Sequence, residues 1–421
     1  MRERIAIVGG GVAGLTACYL LHERHEVTLF EKARRLGGNA YTYTTRDGEE
    51  VDIAAAVFGA AGYRNFFRLL AHLGIETRRC PWSYLSFHDL ETGRGLYMTP
   101  GLRGLLCQRF GILAPSKIRS LLSLLGIQWW ARRLLAGGRA AGLRVEEALR
   151  EFPGLTREVR VVILSLFCLL SSMSGEEVLR APAEFFLRKI RVHRDVLSPR
   201  AFLSIRAVAN RTRSYVEALA APYSERVHLG RGIQKVRRGT SRVTLRFEDG
   251  TSEDFDRVIL ATGADEALAL LEDPTPDEAA LLGAWRYKEG RIVVHRDYDR
   301  LPPRPLMQAY TFAYTGGAET FETSVNGGLW HEPGVSRGCD LVSSQHPNYP
   351  IRPDRIEFET VLRTPVFDDA STSTTRHLPR LSGARNTYYC GSYFGYGLHE
   401  DAVASALDVA RRLGVDPPWR A

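Results

Sequence analysis

The pattern opens on an uninterrupted apolar run, Ile5–Val8. Four such residues in a row suit a strand covered on both faces, as in a parallel sheet. Glycines 9, 10, 11 and 14 follow, and apolar positions then return with helical spacing from Leu15 to Leu21. The pattern predicts a second strand over Glu26–Phe30. Further strands are predicted at Gly232–Val236, at Val243–Phe247 and Ser252–Phe255 about a turn at Glu248–Gly250, from Arg257, and at Asn386–Cys390, with a closing helix from about Ala402 to Leu413. Residues 61–200 read instead as helix-rich. Length (421 residues) and composition (44% hydrophobic, 25% charged) are those of a globular chain of two or three domains, or of one large interleaved α/β unit.

The first strand, turn and helix carry a GxGxxG motif in the setting it needs. Gly9 permits the tight turn, Gly11 lets a pyrophosphate approach the backbone beside Val12 and Ala13, and Gly14 lets helix and strand pack closely. The phosphates then meet free N–H groups and the positive end of the helix dipole. Glu31 ends the second strand, where an acid can bind ribose hydroxyls and disfavours a 2′-phosphate.

After Glu31 comes Lys32-Ala-Arg-Arg-Leu-Gly37-Gly38-Asn39, a glycine pair that nicotinamide enzymes do not need. The stretch resembles the extended signature of the glutathione-reductase-like flavoproteins, the superfamily of amine oxidases and phytoene desaturases. That resemblance implies an α/β fold, with an FAD-binding Rossmann domain (1–60, 200–265 and 375–421) interleaved with an α+β substrate domain (61–199 and 266–374). It implies non-covalent FAD, held also by Ile233, by Ala261-Thr262-Gly263, by Gly391-Ser392 and by Asp401-Ala402 at the start of the last helix. Ala261–Pro274, Arg286–Asp297 and Gly391–Asp401 together resemble a bacterial group of NAD/FAD-binding, amine-oxidase-like proteins whose genes accompany fatty-acid-modifying enzymes. Gly263 stands where that group has His, Ala209-Asn-Arg-Thr-Arg-Ser-Tyr-Val216 stands where it has a Gly-Gly-Ser before an Arg-Tyr-Val element, and its Met-Asn-Arg-Leu-Gln segment is not found around Leu329–Tyr349.

Charge changes the picture in one place. The excess is 56 − 48 = +8, yet Thr92–Val145 holds nine Lys or Arg and no acid. Within it Ile118, Leu121, Leu122, Leu125 and Trp129 recur at helical spacing beside Lys117, Arg119, Arg132 and Arg133. Two readings stand: an interfacial helix in peripheral contact with a membrane, or a helix packed on the core with a solvated basic rim. Nucleic acid is not expected, because the basic residues alternate with aliphatics rather than stacking aromatics. Nor is a metal, because no cysteine pair has CxxC spacing. The longest apolar run, Val161–Gly175, is shorter than the ~20 residues of a spanning helix, so the expected location is cytoplasmic, in solution or against the inner membrane face. Arg160–Met173 would line or back an apolar pocket, pointing to a hydrophobic small-molecule or acyl substrate. The sequence leaves the oligomeric state open.

Loss of hydride from carbon also requires loss of a proton, so a base is sought. The candidates are His295, Tyr393, Tyr396 and His399. Four activities stay in view: an FAD-dependent dehydrogenase or desaturase of an acyl or polyene chain, a redox-neutral double-bond isomerase, an amine oxidase, and a lipid escort protein. The intact glycine set argues against the last.

Overall fold

The computed structural model describes residues 2–54, 56–80, 85–97, 106, 111–192, 205–316 and 320–419. A five-stranded parallel sheet takes the order Val227–Leu229, Glu26–Glu31, Arg4–Val8, Arg257–Leu260 and Thr387–Tyr389. Segments from both ends of the chain thus share one sheet, with Arg257–Leu260 between Arg4–Val8 and Thr387–Tyr389. The runs are continuous in hydrophobicity because helices cover the sheet: Ile5, Ile7, Val27, Leu29 and Ile259 pack against Val12–Leu21, Arg211–Ala220 and His399–Arg412. Ala6, Val8, Phe30, Val258 and Leu260 face the other way. There lies the antiparallel meander Ile233–Arg238, Val243–Phe247 and Ser252–Phe255. The Arg238 fork grips Glu278, which also accepts from Tyr389, joining the meander, the helix Pro276–Gly283 and the edge strand of the sheet.

The second body is a seven-stranded sheet, ordered Ile356–Pro365, Tyr287–His295, Val342–Gln345, Phe321–Gly328, Tyr310–Gly316, Leu85–Asp89, Gly95–Tyr97. Six helices between Pro115 and Val192 cap it. The longest, Arg157–Ser171, is started by the Thr156 side chain, which accepts from Val159 N, and ends at Ser172 in the left-handed region. The helix expected to run through 115–129 is two helices, Pro115–Leu124 and Ile127–Ala136, broken at Leu125–Gly126. Its buried positions are Ser120, Leu124, Ile127, Trp130, Ala131 and Leu134, so most of the expected apolar stripe points outward. No helix among the described residues is long and apolar enough to cross a membrane.

Candidate functional site

One cavity of about 760 Å³ runs from the glycine loop, between the two sheets, to the helical cap. At its nucleotide end Gly9 (φ 109°) turns the chain, and its N–H donates to Phe30 O. A Cβ at Gly14 would stand 2.0 Å from Gly9 O, so only glycine lets the helix start this close to the strand. Gly11 serves differently: nothing lies within 4 Å of a Cβ built there. That open space lies at the N-terminus of Val12–Leu21, which has no side-chain cap and no acid in its first turn. Unpaired N–H groups beside free volume are what a pyrophosphate requires. The Glu31 carboxylate receives Gly10 N at 2.6 Å and Ala33 N at 2.8 Å, fixing the loop it borders. Gly37 N donates to Gly10 O and brings the second glycine loop alongside. The residues present fit a flavin dinucleotide.

Of the expected cofactor residues, Gly9, Gly11, Val12, Ala13, Glu31, Lys32, Gly37, Gly38, Asn39, Ile233, Ala261, Thr262, Gly263, Gly391, Ser392 and Ala402 all line this cavity. Gly14 lies behind them. Asp401 is a correction, because its carboxylate turns away and accepts from Leu398 N at 2.9 Å. It occupies the third helical position, where an acid closes a capping box on the backbone instead of reaching a ligand. Burial pushes it up to about 6. On the far side of that loop the fully buried Lys189 donates to Leu170 O and Tyr396 O.

The catalytic candidates separate. His295 is not among the cavity-lining residues. Gly290 and Ile292 are, and strand parity places His295 with Val293 on the opposite face. There it bonds Ser344 Oγ at 2.7 Å and accepts from Asp297 N; burial lowers it to about 4. Tyr396 also lies outside the lining and serves through its carbonyl. Tyr393 lines the cavity, its ring against Trp285 and its buried hydroxyl without a hydrogen-bond partner among the described residues. His399 lines it too, packed edge-on to Phe58 and Phe66, with Nε2 3.0 Å from Tyr215 Oη. Burial lowers it to about 4.

Two features escape the sequence. His346 lines the cavity in the left-handed region (φ 50°), held by its N–H to Arg291 O. Burial, reinforced by the Lys288 charge, lowers its pKa. The second is an ionic cluster, Asp52, Arg211 and Glu332. Arg211 (φ 69°) lies 3.3 Å from Glu332, and Asp52 accepts from Thr42 Oγ1 and from Thr212 N and Oγ1. Burial and then the Asp52 charge push Glu332 up to about 8, against Arg211. Ser172, Arg211 and His346 are three of the five described non-glycine residues with positive φ, and all three line this cavity. Strain gathered in one place is characteristic of functional sites. The remaining wall beyond the glycine loops is largely apolar, with Leu85, Leu166, Leu169, Leu170 and Phe367.

Residues 12–288 match the family described as flavin containing amine oxidoreductase. Among curated relatives, the chain is 38% identical to the zeta-carotene desaturase of Solanum lycopersicum over 74 residues, 17% of this chain and 12% of that one. The matched stretch therefore spans only a small part of that relative's length. Solved structures extend the likeness of fold to nearly the whole chain. The fatty acid isomerase of P. acnes, which produces CLA, aligns over 98% of this chain and 99% of its own (TM-score 0.68, 14% identity). Cyclohexylamine oxidase from Brevibacterium oxydans aligns over 98% and 100% (TM-score 0.69, 13% identity).

Proposed function

This chain belongs to the flavin-containing amine oxidoreductase family and is an FAD-dependent oxidoreductase, and from that premise we propose that it introduces a C=C bond into a hydrophobic acyl or polyene-type chain. The observation that carries the reading is the continuity of one cavity, from the glycine cradle to a chamber walled by Leu166, Leu169, Leu170 and Phe367. Of the charged groups lining the cavity, Arg211 pairs with Glu332 and the Asp52 carboxylate accepts from Thr42 and Thr212, so the chamber favours an apolar segment over a charged one.

FAD, when bound, supplies a two-electron hydride acceptor. Gly11, Val12 and Ala13 would hold its pyrophosphate, Glu31 its ribose, and Gly391, Ser392 and Ala402 the part nearest the last helix. The apolar wall excludes water and aligns the substrate chain. His346 takes the proton that leaves with the hydride: its ring faces the cavity, and a lowered pKa keeps it neutral and able to accept. His399 is held by Tyr215 and shapes the wall.

Once it has accepted the proton, the His346 imidazolium can deliver it to a neighbouring carbon and become neutral again, which favours a double-bond isomerase as the second reading. Anaerobic mixing with a substrate separates the two. Lasting loss of flavin colour with an added double bond supports desaturation; a shifted double bond without lasting bleaching supports isomerisation. A purified protein that is colourless and takes up no FAD on reconstitution overturns both.

A further inference from the structure

Nine large apolar side chains are exposed among the described residues, and seven of them lie between Leu106 and Val192. Five fall on or beside the broken helix pair: Leu113 (55% exposed) just ahead of it, then Ile118 (42%), Leu122 (61%), Leu125 (59%) at the break and Trp129 (55%). The helices are not short of a core, since Leu124, Ile127, Trp130 and Leu134 are buried on their other face. A helix apolar on both faces beside water needs a second apolar environment.

The charges around this face identify that environment. Arg119, Arg132 and Arg133 are exposed and form no ion pair among the described residues; the Arg133 guanidinium lies 5.4 Å from the Trp129 ring centre. Their neighbours Arg139 and Arg144 are already paired, with Glu151 and Asp369. Residues 92–145 contain no acid to oppose an anionic surface. Protruding aliphatics, a tryptophan at their margin and unpaired arginines match a bilayer interface, where apolar side chains enter the headgroup boundary and cations meet lipid phosphates.

We propose that this face docks the protein on an anionic lipid bilayer, inserting Leu122, Leu125 and Trp129 while Arg119, Arg132 and Arg133 engage the headgroups. The docking face lies one helix from the cavity: Pro115–Leu124 packs on Arg157–Ser171, whose Leu166, Leu169 and Leu170 line the chamber. The inference uses only the surface and stands whatever reaction the flavin performs.

Co-sedimentation of the FAD-loaded protein with vesicles of phosphatidylcholine alone, and of phosphatidylcholine with phosphatidylglycerol, tests it. Binding is expected to favour the anionic vesicles and to weaken with salt. The variant Arg119→Gln/Arg132→Gln/Arg133→Gln should lose about 100-fold in partitioning, at about fivefold for each charge. Leu122→Ser/Leu125→Ser should lose the salt-resistant part, and wild-type tryptophan emission should shift to the blue on vesicles, but not in Trp129→Phe. All substitutions are at exposed positions, so flavin content and Tm serve as folding controls. Equal binding by wild type and variants, no binding, or an emission shift that survives Trp129→Phe overturns the proposal. So does a dimer in solution that Leu122→Ser/Leu125→Ser dissociates, because a second copy then covers the face.

Discussion

The His346 ring lies over Gly290: a Cβ at Gly290 would stand 2.4 Å from its Cε1. Gly290 lies in the strand Tyr287–His295 and His346 just past the end of its neighbour Val342–Gln345, and both line the cavity. The glycine leaves room for the imidazole, and the left-handed backbone of His346 holds it there. Gly290→Ala is therefore expected to displace the ring and slow flavin reduction at least about tenfold, with FAD content unchanged. His346→Asn should cost about 10²–10⁴-fold, the usual contribution of a positioned base. Anaerobic stopped-flow measures both.

The same residue sets a pH dependence. A base works in its neutral form, and the His346 pKa lies below the ordinary 6.5. Proton abstraction should thus persist below pH 6.5 and fall only on further acidification. The acid limb of kcat/KM against pH reads this directly, and its loss in His346→Asn assigns it.

Gly14→Val should yield protein with little bound FAD. The added atoms would meet Gly9 O, with the first of them at 2.0 Å, so the helix must retreat from the strand that aims it. Absorbance of the purified protein and FAD titration measure the effect.

His295→Asn should leave flavin reduction within about twofold of wild type. It should cost ~1–3 kcal/mol of stability, because it disturbs the buried contacts with Ser344 and Asp297. Stopped-flow and denaturant titration, run on one preparation, separate the two effects.

Glu278→Ala should destabilise the fold by ~1–3 kcal/mol, since it removes two hydrogen bonds of the buried Arg238 fork, leaves Asp273 to hold it, and frees the Tyr389 hydroxyl. Burial alone would raise the Glu278 pKa, but the hydrogen bonds from Arg238, Thr275 and Tyr389 and the Arg238 charge together outweigh it, and the net shift is downward. A depressed carboxyl stabilises the fold above its unfolded pKa and loses that contribution as pH falls through the folded one. The wild type should therefore lose stability as pH drops below about 4.5, and Glu278→Ala should lose less over the same range. Thermal melts against pH test this.

The nucleotide half was legible in the sequence because its constraints are steric and local. Gly9 and Gly14 tolerate only a hydrogen at Cα, and Gly11 between them leaves open space for the phosphates. The chamber was not legible for the opposite reason. Asp52, Arg211 and Glu332 come from three distant segments and meet only through tertiary packing. His295 drew attention as a strand-end histidine, yet counting by twos from Gly290 and Ile292 puts it on the far face. Asp401 carried a local signal too, since an acid three positions into a helix is a cap before it is a ligand. The stripe from Ile118 to Trp129 was legible as a pattern; its outward direction was set by Leu124, Ile127 and Trp130, which claim the core instead.

Comparing substrates under anaerobic conditions bears most directly on the account. Long-chain acyl and polyene compounds, and primary amines of matched length, are each mixed with the FAD-loaded protein, and flavin absorbance and products are followed. An acyl or polyene compound is expected to bleach the flavin and gain a double bond, while amines leave the flavin coloured. Bleaching by an amine, with the acyl and polyene compounds inert and recovered unchanged, would contradict it.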